Sequence, residues 1–280
     1  MRLAGALPGP EALRVRGLRG SVLGGEASFR FFGELNDFLP PDERQRPLLR
    51  SFRGRPSVKH MIEALGVPHT EIELITVSGT SVDFAYRVRD GDAVCVYPVF
   101  ESFDVTPLLR LRETPLRTAR FVVDTNLGKL ALYLRILGFD TLYSNRYGDA
   151  EIAGISSERK RILLTRDRRL LHRRNVTHGY WVRSTDPREQ IEEVARRFDL
   201  VGLIEPFHRC LRCNSELRPV DKSEVEHRLE PRTKKYYDEF RTCPDCGRIY
   251  WKGTHFEHMR QELLARLQGR GASDDPDRGC

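Results

Sequence analysis

Two short apolar runs that each lead into an aspartate constrain the fold of this chain more than any other feature. Residues 121–123 run directly into Asp124, and residues 162–164 reach Asp167 through a Thr-Arg step. Short bulky runs of this kind are typical of the buried strands of a parallel sheet. Open α/β sheets bind ligands at the carboxyl ends of their strands, where both aspartates are expected. The alternative is that each aspartate only caps the helix that follows it.

Strand and helix patterns alternate through residues 119–200, which predicts a small doubly wound α/β domain. One face of a helix that Gly138 ends is formed by Leu127, Leu130, Ala131, Leu134 and Leu137. Further strands are expected at residues 139–143, 161–165 and 180–182. The helices between them are expected to begin at Asp149, Arg168 and Pro187.

Residues 27–100 show strands, one helix and then further strands, an order that indicates a β-grasp fold. The helical pattern begins at Val58 and carries apolar residues at helical spacing. Residues 1–26 are rich in glycine and arginine, and we interpret them as a flexible extension. Residues 101–118 carry prolines and mixed charge, which favours a connector between two domains.

The end of the β-grasp unit resembles small ubiquitin-fold sulfur carriers. The resemblance rests on the turn at residues 90–92, the strand that follows it, and Tyr97 with Pro98. Those carriers finish in a free Gly-Gly whose carboxylate reacts, whereas this chain continues through residues 99–102 without one. The resemblance therefore implies a docking domain for a protein partner, without the carrier chemistry.

Four of the six cysteines form two Cys-x-x-Cys pairs, which are Cys210 with Cys213 and Cys243 with Cys246. In a chain without a recognisable secretory signal, this spacing indicates a metal site more than a disulfide framework. Four thiolates complete the tetrahedral shell of a structural Zn²⁺, so residues 201–260 are predicted to form a zinc ribbon. Redox pairs or buried thiols are the alternative. Residues 261–280 are expected to be a helix end and a disordered tail.

The charge balance points to the class of partner. A formal net charge of +7 favours a polyanion, and nucleic acid fits better than a membrane because no basic amphipathic helix stands out. No window approaches the roughly 18 apolar residues of a membrane span, and the first residues contain no apolar signal segment. We therefore expect a cytoplasmic protein with no membrane contact.

Acidic residues at the expected strand and helix ends suggest a site for a hard divalent cation. The set consists of Asp124, Asp149 and Asp167, with Glu151 and Asp186 as further acids. Carboxylate oxygens suit Mg²⁺ or Mn²⁺, and such ions activate water and stabilise the leaving oxygen when a phosphodiester is hydrolysed. The chain has no nucleophile elbow that would indicate a serine hydrolase.

Two groups of residues are candidates for contact with nucleic acid. Beside the acids, support for a ligand or phosphate is expected from Asn126, Lys129 and Arg166. The basic run after Asp167 adds phosphate candidates, which are Arg168, Arg169, Arg173 and Arg174. Aromatic rings among cations suit single-stranded nucleic acid, and in the cysteine unit the candidates are Trp251, Lys252 and His255. A solvated charged face and, for the rings, a small core remain open alternatives.

Residues 119–260 together resemble the PIN-like ribonuclease family named for the C-terminal region of the Mut-seven exonuclease. The resemblance rests on residues 121–131, 137–141, 162–167 and 250–255 and on both cysteine pairs. Bacterial members joined to an N-terminal ubiquitin-like unit match residues 28–260. The resemblance implies cleavage of RNA, with Asp124, Asp149 and Asp167 at the metal-binding positions. PIN nucleases generally use four acidic residues, and Glu151 and Asp186 are the candidates for the fourth.

The predicted architecture is α/β with three units: a ubiquitin-like β-grasp domain, a PIN-like parallel-sheet domain and a zinc ribbon. The predicted function is a metal-dependent ribonuclease that uses structural Zn²⁺ and catalytic Mg²⁺ or Mn²⁺, with a ubiquitin-like docking domain. One alternative is a non-catalytic RNA-binding or adaptor protein on the same scaffold. Another is a component of sulfur transfer or tRNA modification, against which the missing Gly-Gly weighs.

Overall fold

The computed structural model describes residues 24–98 and 119–268, apart from the side chains of His255 and Gln268. The predicted connector and the end of the predicted tail lie outside the described residues. The first strand begins at Gly24, so the sheet includes the last residues of the segment that we predicted to be a flexible extension.

Residues 24–98 form a five-stranded mixed sheet packed against one helix. The elements are β1 Gly24–Phe31, β2 Leu48–Arg53, α1 Val58–Ala64, β3 Leu74–Val77, β4 Thr80–Ser81 and β5 Ala93–Tyr97. The strand order is β2-β1-β5-β3-β4, with β1 parallel to β5 and the other neighbours antiparallel. This is the β-grasp arrangement, and it confirms the predicted fold of the first unit.

The hydrophobic pattern of the sequence explains why this sheet and helix pack together. Alternate residues of β1 point to one face, and Phe29 and Phe31 on that face are buried. Val58 and Ile62 of α1 are fully buried in the same core. Each such side chain contributes roughly 1.5–3 kcal/mol through burial. The helix begins after Ser57, whose hydroxyl accepts a hydrogen bond from a backbone amide of the first turn.

Residues 119–200 form a four-stranded parallel sheet in the order β7-β6-β8-β9. The strands are β6 Arg120–Val123, β7 Asp140–Tyr143, β8 Ile162–Thr165 and β9 Gly179–Trp181. The helices are α2 Gly128–Ile136, α3 Asp149–Glu158, α4 Arg168–Leu171 and α5 Pro187–Arg197. Phe121 and Val123 face the layer of α2 and α5, whereas Val122 faces α3 and α4. Helices therefore cover both faces, as predicted for a doubly wound domain.

The cysteine unit is a three-stranded antiparallel sheet with two short helices inserted between its first two strands. The elements are β10 Arg218–Val220, α6 Lys222–Val225, α7 Pro231–Tyr236, β11 Phe240–Thr242 and β12 Ile249–Trp251. The segment that leads into this unit passes close to Gly138. This glycine has φ +99°, and a Cβ at its position would lie 2.0 Å from the carbonyl oxygen of Glu205. The chain can pass so close to α2 only because that position has no side chain.

The chain then returns to the domain of residues 119–200 through helix α8, Thr254–Gln268. Leu263 of this helix is buried in the core that α2 and α5 form with the parallel sheet. α8 is thus an additional layer of the middle domain. None of the helices in the described ranges combines the length and apolar character needed to cross a bilayer.

The β-grasp domain packs directly against the edge strand β9. Glu71 is fully buried, and its carboxylate accepts a hydrogen bond from the amide of Trp181. Arg183 Nε donates to Asp37 Oδ2 at 2.8 Å. Burial raises the pKa of Glu71 to about 7, and the nearby guanidinium of Arg197 opposes this shift. The sequence did not predict this contact between the two domains.

Candidate active site and metal centre

Asp124 and Asp167 follow neighbouring strands of the parallel sheet. Asp124 comes directly after β6, and Asp167 lies two residues beyond the end of β8. The amide of Asp124 donates to the carbonyl of Leu164 at 3.0 Å, so the strands stay paired up to the aspartate. Asp124 is 8% exposed, and the side chain of Asp167 is 34% exposed. Both residues therefore lie at the carboxyl edge of the sheet.

Thr165 connects the two aspartates. Its hydroxyl donates to Asp124 Oδ2 at 2.7 Å and accepts a hydrogen bond from the backbone amide of Asp167 at 2.9 Å. Thr165 is fully buried, so water does not compete for these bonds. Sequence reasoning missed this residue. Its place at the end of an apolar run, two residues before an aspartate, is the signal that would have found it.

Both aspartates also cap the turns that follow them. Asp124 Oδ1 accepts from the amide of Thr125 at 2.6 Å, and Asp167 Oδ1 accepts from the amide of Arg169 at 2.9 Å. The capping alternative is therefore realised at both positions. Capping does not exclude metal binding, because an ionised carboxylate has about four lone-pair sites and the caps use only part of them.

Asp149 is the first residue of α3, the helix that follows β7. In the sheet, β7 pairs with β6 on the side opposite β8. Its side chain is 64% exposed, and its Oδ2 lies 3.9 Å from a guanidinium nitrogen of Arg173. Within the described ranges, the only group of three or more acidic, histidine or cysteine residues close enough together to hold a metal ion consists of cysteines. The three aspartates are thus near one edge of the sheet without forming a closed cluster.

The further candidates beside this edge have different surroundings. Asp186 caps α5, with its Oδ1 accepting from the amide of Arg188 at 2.7 Å. Glu151 is exposed in the first turn of α3, and Asn126 and Lys129 are also exposed. None of these positions is buried, so each remains accessible to a ligand from solvent.

The predicted phosphate contacts separate into two groups. One guanidinium nitrogen of Arg166 donates to the carbonyl oxygens of Arg183, at 2.7 Å, and Ser184. Arg168 lies over the ring of Trp181, with 3.8 Å between its Cζ and the ring centroid. These two arginines are held by protein contacts. The exposed arginines of the run are Arg169, Arg173 and Arg174.

The four predicted cysteines come together, since the Sγ atoms of Cys210, Cys213, Cys243 and Cys246 all lie within 4.8 Å of one another. The Sγ atoms of Cys210 and Cys246 are 3.6 Å apart, and those of Cys213 and Cys243 are 3.3 Å apart. A tetrahedral zinc with Zn–S bonds of about 2.3 Å requires S–S distances of about 3.8 Å. The geometry and the soft sulfur donors therefore fit a tetrahedral metal such as zinc.

The two cysteine turns have the same backbone construction. The amide after each second cysteine, in Asn214 and in Gly247, donates at 2.9 Å to the carbonyl of the first cysteine. Asn214 has φ +74° and Gly247 has φ +66°, a left-handed conformation that asparagine and glycine adopt most readily. The matched turns present their sulfur atoms to a common centre.

Asn214 has a second role that glycine could not fill. Its amide nitrogen donates to Asp140 Oδ1 at 2.7 Å, and its Oδ1 accepts from the amide of Thr141 at 2.8 Å. Buried Arg135 donates to two carbonyls of the same cysteine turn, in residues 211–212, at 3.0 Å each. The first cysteine turn is thus fastened to the amino edge of the parallel sheet, opposite the aspartates.

Of the residues in the cysteine unit that are predicted to contact nucleic acid, one packs inside the unit and another lies at its surface. Trp251 packs against Tyr237 and Phe240, with ring centroids 6.5 Å apart in both pairs. Lys252 is exposed, and its ammonium group lies 2.7 Å from Glu239. The side chain of His255 lies outside the described residues. The small-core alternative therefore applies to Trp251, while Lys252 remains at the surface.

Comparison with curated proteins finds no match for the chain. Two family models match it. The model described as Mut7-C RNAse domain covers residues 119–263, and the model described as Mut7-C ubiquitin covers residues 24–104. The first match spans the parallel sheet, both cysteine turns and most of α8, and the second spans the β-grasp sheet. The chain belongs to the Mut7-C RNAse domain family and carries a Mut7-C ubiquitin-like domain at its amino-terminal side.

Proposed function

We propose that this protein is a metal-dependent ribonuclease whose active site lies at the carboxyl edge of the parallel sheet. Asp124 and Asp167 would bind a Mg²⁺ or Mn²⁺ ion directly, and Asp149 would contact the ion through water. The observation that carries the proposal is the hydroxyl of Thr165, which ties Asp124 to the Asp167 segment across two neighbouring strands. The match to an RNAse-domain family supports RNA as the substrate.

The donor set fits the proposed ion. Mg²⁺ binds carboxylate oxygens, is usually held by one or two carboxylates, and keeps several of its waters. Two aspartates at adjacent strand ends are therefore sufficient ligands, and the more exposed Asp149 can act through water. When bound, the ion would supply an activated water and stabilise charge on the phosphate. The protein's own part is to fix Asp124 between Thr125 and Thr165, so that the carboxylate is already oriented.

RNA would approach from the side of α4. Arg169, Arg173 and Arg174 are exposed in and after this short helix, directly beyond Asp167. Their charges would neutralise phosphates next to the site, which supplies affinity without sequence preference. Asn126 and Lys129 lie exposed after Asp124 and are the next candidates for contact, with Glu151 or Asp186 as a fourth acid.

The cysteine centre is proposed to hold structural Zn²⁺. Four sulfur ligands leave no open coordination position, so this metal would stabilise the fold and would not act on RNA. Thiolate ligands must stay reduced, which suits a cytoplasmic protein. Exposed Lys252 and the region of His255 would extend the RNA-binding surface. A protein partner would bind the ubiquitin-like domain on a face that does not contact β9.

The test is cleavage of single-stranded and structured RNA with Mg²⁺ or Mn²⁺ by the unsubstituted protein and by Asp124→Asn. The substitution preserves size and removes one negative charge that the cation needs, so we expect turnover to fall at least about 100-fold, as when a catalytic metal ligand or its support is lost. RNA binding should persist, because a negative charge facing phosphate is removed.

Asp199→Asn is the matched control, since Asp199 is exposed after α5 and away from the carboxyl edge. Equal activity in both variants would place cleavage elsewhere or assign it to a contaminant. RNA binding without cleavage under any metal would favour the non-catalytic RNA-binding alternative.

A further inference from the structure

Arg166 and Arg168, the two residues that flank Asp167, are both held by contacts outside their own segment. On one side, Arg166 donates to carbonyls of the loop that follows β9. On the other side, Arg168 reaches the β-grasp domain, where its guanidinium donates to the carbonyl of Asp37 at 3.2 Å. Asp167 is therefore the middle residue of a segment that is fixed at both ends.

The contact of Arg168 with the β-grasp domain is aromatic as well as polar. Its Cζ lies 3.8 Å from the ring centroid of Trp181 and 5.2 Å from that of Phe38. The two rings are themselves 5.2 Å apart. A planar guanidinium stacks on such rings in a way that a lysine ammonium does not reproduce. The geometry of this contact thus depends on Phe38, which belongs to the other domain.

The contact that holds Arg166 also depends on the β-grasp domain. The loop whose carbonyls hold Arg166 contains Arg183, and the side chain of Arg183 donates to Asp37 Oδ2 at 2.8 Å and to the carbonyl of Glu34 at 3.2 Å. The side chain of Arg183 is 20% exposed and that of Asp37 is 42% exposed, and the bond joins two charged groups. Residues 34–38 therefore act on both sides of Asp167, once through Arg168 and once through Arg183.

We infer that the ubiquitin-like domain positions Asp167 for metal binding, with Phe38 and Arg168 as positioning residues. The inference rests on the proposed function, in which Asp167 is a metal ligand. It assigns this domain a role within its own chain, in addition to any docking of a partner. Arg168 also differs from the exposed arginines beside it, because the guanidinium of Arg168 contacts the β-grasp domain.

The experiment measures Mn²⁺ binding by electron paramagnetic resonance in the absence of RNA, together with kcat and KM for a short RNA. The variants are Arg168→Ala, Arg168→Lys and Phe38→Leu, and the matched control is Arg174→Ala, which removes the same charge from an exposed residue of the same basic run. Loss of a residue that orients a metal ligand typically weakens metal binding by about 10–100-fold. We therefore expect Arg168→Ala and Phe38→Leu to raise the Mn²⁺ dissociation constant about tenfold and to lower kcat, with little change in the KM for RNA.

Arg168→Lys should restore charge without restoring Mn²⁺ affinity, whereas Arg174→Ala should raise the KM for RNA and leave Mn²⁺ binding unchanged. If Arg168→Ala and Phe38→Leu bind Mn²⁺ as the unsubstituted protein does, the positioning role is wrong while the proposed function stands. If the unsubstituted protein binds no Mn²⁺, the proposed function fails, and the inference fails with it. Zinc content and circular dichroism of each variant identify any that has lost its fold.

Discussion

The two edges of the parallel sheet use the same residue types for opposite purposes. At the amino edge, Asp140 forms two hydrogen bonds with Arg161, at 2.8 and 2.9 Å, and a third with Asn214. At the carboxyl edge, the partners of Asp124 and Asp167 among the described residues are hydroxyl and amide groups, apart from a long 3.5 Å contact of Asp167 with the exposed Arg169. An aspartate whose charge is already neutralised serves structure, whereas one held by neutral donors keeps its charge for a cation.

This difference separates stability from function within one small domain. The amino edge joins the sheet to the cysteine unit, and its charged groups are mostly buried. At the carboxyl edge Asp124 is buried, but the side chains of Asp167 and Asp149 are 34% and 64% exposed and face solvent. Substitutions at the first edge should therefore unfold the protein, whereas substitutions at the second should affect chemistry.

The largest effect is expected from Cys243→Ser or from removal of metal by a chelator. Metal binding in a four-cysteine unit is coupled to its folding, so the segment from residue 208 to residue 251 should lose protection against hydrogen exchange. The amide of Thr141 on β7 should lose protection as well, because the side chain of Asn214 accepts its hydrogen bond. Cys95→Ser, in the β-grasp domain, is the control. Protection that is unchanged in Cys243→Ser would contradict a structural metal.

The next effect is expected from Asp140→Asn. It leaves the guanidinium of Arg161, which is 9% exposed, without its charged partner. Breaking a buried pair in this way should lower the free energy of unfolding by about 3 kcal/mol, measured by urea denaturation. Asp167→Asn, at the other edge, should change it by no more than about 1 kcal/mol, the usual contribution of a helix cap. Equal losses in the two variants would remove the distinction between the edges.

The pH dependence of Asp140→Asn sharpens this test. Burial alone would raise the pKa of Asp140, but hydrogen bonds from Arg161 and Asn214 outweigh burial and hold the pKa below its ordinary value. The contribution of Asp140 to stability is therefore complete above its unfolded pKa of about 4 and is lost as the pH falls through the lower folded pKa. Unfolding at pH 7 and at pH 3 should show the two proteins converging in acid. A constant difference would mean that the carboxylate charge is not the cause.

A smaller loss of stability than in Asp140→Asn is expected from Thr165→Val. It keeps the shape of the side chain but removes the hydroxyl between Asp124 and Asp167, at a cost of about 1–2 kcal/mol. Activity should fall by at least about tenfold, since a group that orients a metal ligand is lost. Thr165→Ser retains the hydroxyl and should retain most of the activity. Full activity in Thr165→Val would show that the bridge does not support the site.

The sequence predicted the elements well because their signals are local. Apolar runs, the glycine after α2 and the proline that begins α5 each mark an element within a few residues, and the cysteine spacing predicted a cluster that the structure contains. The contacts between distant segments were not predictable in the same way. Nothing near Arg168 in the sequence indicates that its guanidinium contacts residues 37 and 38. Asn214 likewise occupies a turn position whose bond to β7 has no signal in the sequence.

Both outer strands of the parallel sheet have an edge that is covered by a neighbouring unit. On β7, the amide of Thr141 is bound by Asn214 from the cysteine unit, and on β9, the amide of Trp181 is bound by Glu71 from the β-grasp domain. Bare strand edges pair with other chains and cause aggregation. A fragment limited to residues 119–200 would expose both edges at once. The two flanking units thus also protect the central domain from self-association, and a soluble fragment of this protein should retain both of them.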